Sequence, residues 1–243
     1  QERAVYSEHT IQVMGQKMPV YVFPGTGGGA RPVLIVAQHL PVAHTGILND
    51  PFQIKVAERY AKAGYTCVVP FLFHWWPTDE DITVKRESFR DDWTVADIGA
   101  TVSFAQGLPD VDAERVGIVG HCWGGRIAWL SACHDSRLRA CLLFYGGRVK
   151  AQFADDAPAP VTLASNIRCP VMGVFGNEDQ NPTPEDVNDY ETALRDANVQ
   201  YEFYRYDGAG HGFQDFTNAE KYREQQAEDA WAKAMNFFEQ TLG

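Results

Sequence analysis

The chain opens on two short segments, residues 8–13 and 18–23, in which apolar and polar side chains alternate, separated by a polar turn containing Gly15. Period-two alternation puts one set of side chains on each face of a strand, so an N-terminal hairpin is predicted. From Pro32 the pattern changes. Continuous apolar runs at residues 33–37, 66–70, 116–119, 141–145, 171–175 and 201–206 alternate with stretches of helical period. Runs of that length, rich in Val, Leu and Phe, suit strands covered on both faces, as in a parallel sheet.

The intervening helices carry start and stop signals. Asp50 is placed to cap a helix with Pro51 in its first position, Phe52, Val56, Ala57 and Tyr60 on its inner stripe and Gly64 at its end. Thr183 and Pro184 repeat the start signal ahead of Val187, Tyr190 and Leu194. Ala227, Ala230, Trp231, Ala234 and Phe238 share one face of a closing helix. Strand and helix in repetition predict a mostly parallel, doubly wound α/β sheet behind the antiparallel hairpin, with helices on both faces and residues 1–243 as one domain.

Composition narrows the functional classes. The 243 residues carry 21 basic and 32 acidic side chains, a formal charge of -11. No basic run is present to neutralise phosphates, so nucleic acid is not an expected partner. No apolar stretch reaches the roughly 20 residues of a membrane helix, and no basic-then-apolar leader opens the chain. Five cysteines, an odd count without a CxxC pair or zinc-type spacing, read as reduced thiols in a cytoplasmic protein. No metal site, cofactor or oligomeric state is implied.

Two glycine-rich segments compete for attention. Gly25-Thr26-Gly27-Gly28-Gly29-Ala30 loosely resembles a dinucleotide fingerprint, but Arg31-Pro32 leads into a strand instead of the helix that would hold pyrophosphate, so a linking loop is expected. Gly120-His121-Cys122-Trp123-Gly124-Gly125 stands directly between the strand at 116–119 and a helical stretch at 126–132. A sharp strand-to-helix turn crowds the backbone and requires small residues two before and two after an exposed nucleophile. Cys122 meets that condition, at a helix N-terminus that favours the thiolate, with the Trp123 amide next in line as an oxyanion donor. Cys67, Cys133, Cys141 and Cys169 sit in or beside apolar runs and read as buried small hydrophobes.

An acid and a histidine then follow in the chain order such folds use. Asp179 lies in GNED after the strand at 171–175, with Glu178 as a competitor for the acid role, and His211 lies in GAGHG after the strand at 201–206. All three residues leave the carboxyl ends of strands and converge on one rim. His9 and His134 are expected to face solvent and His121 to stand behind the nucleophile. His39 and His44 remain open.

With these pieces in view, the sequence resembles the dienelactone hydrolase family, the carboxymethylenebutenolidases and their relatives. The likeness rests on GHCWGG at the elbow, Ala37-Gln38, Phe144-Tyr145-Gly146, GNED and GAGHGF, and spans the chain from the first core strand to the last helix. It implies an α/β-hydrolase fold, a triad of Cys122, Asp179 and His211, oxyanion amides on Trp123 and Leu40, and a small ester or lactone substrate cleaved through a Cys122 thioester. Two departures stand out. His39 occupies the position of a glutamate that contacts the thiol in the family, and Gln214-Asp215-Phe216 occupies that of a substrate-gripping arginine, for which Lys85, Arg86 and Arg90 are candidate replacements. The aromatic segment at residues 71–76 either overhangs the site or packs as core. In the first case Trp75, Trp76 and Tyr145, with His39, line the substrate pocket. The alternatives are a thioesterase or general carboxylesterase, and a non-catalytic ligand-binding or redox-sensing protein on the same scaffold.

Overall fold

A computed structural model describes residues 5–40 and 42–243. The hairpin forms from β1 (Ser7–Val13) and β2 (Gln16–Phe23), with Ser7 opposite Val22 and Val13 opposite Gln16. Its two-residue turn, Met14 and Gly15, has both φ angles positive, at 48° and 79°. That is the twist a tight hairpin needs, and glycine supplies half of it without steric cost.

Six further strands complete the sheet: β3 (Arg31–Ala37), β4 (Thr66–Pro70), β5 (Val111–His121), β6 (Leu138–Phe144), β7 (Val171–Gly176) and β8 (Tyr201–Tyr206). Their order is β1-β2-β4-β3-β5-β6-β7-β8. β3 to β8 are mutually parallel, and β2 runs against β4. This is the mostly parallel, helix-covered sheet the apolar runs predict, in the α/β-hydrolase-like arrangement the resemblance implies. From β3 the chain passes to β4 on one side and then returns to β5 on the other. The carboxyl ends of β3 and β5 therefore flank the crevice where open α/β sheets bind ligands.

Among the described residues six α-helices cover the sheet: α1 (Pro51–Lys62), α2 (Ile82–Glu87), α3 (Asp91–Gln106), α4 (Trp123–His134), α5 (Pro184–Asp196) and α6 (Glu224–Leu242). The start signals act as read. Asp50 accepts from the amides of Phe52 and Gln53, and Thr183 and Asp186 close a reciprocal capping box. The 25–30 segment is a loop that leads into β3. β5 begins five residues before the apolar run at 116–119, because its first turn of chain is polar and only partly covered. Buried Asp91, Thr94, Asp97 and Thr101 interrupt the apolar stripe of α3, which hides that helix from a hydrophobicity pattern.

Candidate active site

Cys122 is the single residue between β5 and α4, and its backbone is held at φ 56°, ψ -120°. A non-glycine residue there stores roughly 1–3 kcal/mol of strain, which the surroundings must impose. The glycines around it explain how. A Cβ on Gly120 would lie 1.9 Å from the Gly124 carbonyl oxygen, and one on Gly124 would lie 2.6 Å from the carbonyl oxygen of Ala37 on β3. The helix start is thus pressed against two neighbouring strand ends. The Cys122 amide donates to Phe144 O at 3.0 Å, fixing the turn to β6 as well.

The side chains that converge on this turn form a continuous relay. His211 Nε2 lies 3.0 Å from Cys122 Sγ, and His211 Nδ1 lies 2.9 Å from Asp179 Oδ2. Asp179 is buried, and its other oxygen accepts the Asn181 amide at 2.9 Å. Glu178 has no part in the relay. Burial works against the His211 cation, yet the Asp179 hydrogen bond and the hydrogen bond and charge of Cys122 outweigh it and push its pKa up to about 10. Burial likewise opposes ionisation of Cys122, but the His211 hydrogen bond and charge, the His39 charge and the Trp123 amide together bring the thiol below its usual value. Both shifts favour a thiolate facing an imidazolium.

The other four thiols behave oppositely. Cys67, Cys133, Cys141 and Cys169 are buried, and burial raises each of them, Cys133 and Cys169 to about 12. They are core residues, as their apolar settings predict.

Cys122 and His211 open into a cavity of about 530 Å³ that His39, Leu40 and Trp123 also line. Gln38, fully buried, orients this edge: its side chain donates to Ala43 O and accepts the Leu72 amide at 2.7 Å. The Trp123 amide, first in α4, has no carbonyl one turn back to bond. His39 is buried, with Nδ1 2.7 Å from Asp50 Oδ2. His44 instead accepts from buried Lys85. His134 is exposed and His9 partly so, while His121 is buried against Phe144.

Other sequence candidates fall elsewhere. Tyr145 is fully buried and packs edge-on behind His211, ring centres 5.1 Å apart. Trp75 donates to Asp97 and stacks on Trp93; Trp76 donates to Ser88 and stacks on Phe89. Both indoles belong to an aromatic cluster with Trp93 and Phe89, outside the cavity, where each N–H finds its acceptor. Of the three candidate cations only Arg86 lines the cavity. Arg90 pairs with Asp92 and Asp156, and Lys85 is tied to His44 and Thr78.

Two cations not anticipated from the sequence, Arg148 and Lys221, join Arg86 in the lining. Among the described residues none of the three has a carboxylate at ion-pair distance, whereas most other arginines do. Arg148 has φ of 60° and its carbonyl is held by Arg126 Nε at 2.8 Å. Arg126 is itself buried in a two-pronged pair with Asp91, at 2.6 and 3.0 Å. Nothing in the local pattern GGRVK marks Arg148, since its role depends on a helix two elements away.

Comparison with known proteins fits this geometry. The profile of the Dienelactone hydrolase family matches residues 18–242. The chain belongs to the dienelactone hydrolase family. It is 33% identical over 245 residues to a Salmonella typhimurium protein named "Putative carboxymethylenebutenolidase", covering 96% of this chain and 87% of that one. A protein of the same name from Methylorubrum extorquens is 30% identical over 97% of this chain and 81% of its own. Among solved structures, one titled "Putative Dienelactone Hydrolase" from Klebsiella pneumoniae superposes with a TM-score of 0.86 at 31% identity, over 97% of this chain and 98% of that one. This dienelactone hydrolase family member is therefore a hydrolase of α/β-hydrolase type. Among its described residues no helix is long and apolar enough to cross a membrane.

Proposed function

We propose that this hydrolase cleaves small esters or enol lactones by acyl transfer to Cys122, with His211 as base and Asp179 as the group that orients it. The single observation that carries the reading is the unbroken relay from Asp179 through His211 to Cys122, the one cysteine among the described residues that is not fully buried. In the forward step the Cys122 thiolate attacks the carbonyl carbon, and the amides of Trp123 and Leu40 receive the developing oxyanion. His211 gives its proton to the departing alcohol or enol oxygen, leaving a thioester. It then takes a proton from water, whose oxygen attacks the thioester and frees the acid and the Cys122 thiolate, restoring the starting ion pair. Asp179 holds Nδ1 protonated throughout, so Nε2 is always the atom that exchanges protons.

Arg86, Arg148 and Lys221 favour an acyl portion that carries a carboxylate, because they supply unpaired positive charge beside the nucleophile in a protein that is acidic overall. The unpaired cysteines fit work in the cytoplasm, with the whole chain acting as one domain. A panel of an enol lactone bearing a carboxylate, a neutral aryl ester and an acyl thioester tests the reading. The carboxylated lactone should show the highest kcat/KM, and Cys122→Ala should remove all turnover. Turnover that survives this substitution would refute it.

A further inference from the structure

His39 is the neighbour of Cys122 that hydrolysis leaves without a task. Its backbone amide donates to Gln53 Oε1 at 3.0 Å and its Nδ1 meets Asp50 Oδ2 at 2.7 Å. Asp50 is 2% exposed, and its other oxygen accepts the Phe52 and Gln53 amides at 3.1 and 3.3 Å. An acceptor-only carboxylate puts a proton on Nδ1 and supplies the counter-charge for a second one on Nε2. Nε2 has no partner among the described residues and belongs to a ring that lines the cavity of Cys122. The arrangement repeats that of His211, whose Nδ1 meets a carboxylate also anchored by a backbone amide.

The two imidazoles come to the cavity of the sulfur from opposite sides of β5. His39 leaves β3, which lies on one side of β5 in the sheet, and His211 leaves β8, which lies on the other. We propose that His39, clamped by Asp50, is a positioning residue for charge: together with His211 it keeps Cys122 ionised before any substrate arrives. The thiol proton moves from Sγ to Nε2 of His211 and no other bond changes. His39 exchanges no proton in this step; its ring, held on Asp50, acts through its field.

The surroundings agree in sign. Buried His121, beside the sulfur, is held well below its usual pKa by burial and then by the His39 charge, so it adds no competing cation. Arg86 on α2, Arg148 after β6 and Lys221 after β8 face the same space and favour the thiolate, while Asp215 alone among the cavity's outer side chains opposes it. Two carboxylates, Asp50 and Asp179, stand behind their imidazoles instead of against the sulfur.

The inference concerns the same sulfur as the proposed hydrolysis but not its substrate, so it is tested without turnover. The pH dependence of Cys122 alkylation by iodoacetamide, and of the thiolate's ultraviolet absorbance, is measured on the full chain for wild type, His39→Gln, His39→Glu and Asp50→Asn. Wild type should alkylate readily at mildly acidic pH. His39→Gln should lower that rate about ten-fold, the effect of roughly one pKa unit, yet match wild type at alkaline pH. His39→Glu should lower it further, and Asp50→Asn should move it the same way by less. Profiles that coincide with wild type would overturn the inference. So would losses that persist at alkaline pH, since they would mark His39 as support for the fold and not as charge. Absent hydrolysis with the predicted alkylation profiles would refute the substrate reading alone.

Discussion

His211 Nε2 lies 3.0 Å from Cys122 Sγ although 89 residues separate them in the chain. The contact follows from the sheet. β5, β6, β7 and β8 are consecutive parallel neighbours, so the loops after β5, β7 and β8 open on one edge and bring a sulfur, a carboxylate and an imidazole within reach. A strained elbow holds the first, and short loops beginning in glycine-rich sequence hold the others.

Asp179→Asn should lower kcat toward 4-nitrophenyl acetate by about 10³–10⁴-fold. The amide nitrogen of Asn donates where the carboxylate accepts, which turns the imidazole to the wrong tautomer. Steady-state kinetics beside a thermal melt separate this loss from unfolding.

The pH profile of kcat/KM should rise at a lower pH than a free thiol allows, because the Cys122 pKa lies below its ordinary value. Activity should then hold until His211 loses its proton at about 10 and can no longer protonate the leaving oxygen. The sign is fixed by the pair: a depressed thiol widens the active range on the acid side, and a raised imidazole widens it on the alkaline side. A profile centred narrowly on neutral pH would contradict the ion pair.

Arg126→Ala should destabilise the protein by about 3–5 kcal/mol, since it leaves the Asp91 carboxylate buried without its partner. The joint change Arg126→Met with Asp91→Leu should recover most of that loss, as apolar replacement of a buried pair commonly does. Denaturant titration of the wild type and both variants checks both statements.

Arg148→Ala should raise KM for an ester carrying a carboxylate by roughly 10- to 100-fold, the worth of a charged hydrogen bond of about 1.5–3 kcal/mol. KM for a neutral ester of the same size should change little. Equal effects on both substrates would mean that Arg148 shapes the loop and does not hold the anion.

Much of this was legible in the residues, and the parts that were not have physical reasons. The runs at 66–70 and 171–175 are strands buried on both faces, so apolar continuity reveals them directly. The elbow is legible because its glycines answer local backbone crowding that any sequence must obey. α3 was not, because Asp91 and Asp97 point inward toward partners that only the folded chain provides: Arg126 for Asp91, and His74 with Trp75 for Asp97. Trp75 and Trp76 carry the same aromatic signal whether they line a pocket or pack in a layer, and the acceptors that decide it, Asp97 and Ser88, lie 12 or more residues away. Asp50 reads as a helix cap, which it is. Its second bond, to His39, has no signature in the sequence.

The most direct test is mass spectrometry of the protein quenched during reaction with 4-nitrophenyl acetate. The account predicts one acetyl group per chain, mapped to the peptide holding Cys122, released by hydroxylamine and missing from Cys122→Ala. Continued hydrolysis with no acetylated chain, or with the acetyl group on another residue, would contradict it.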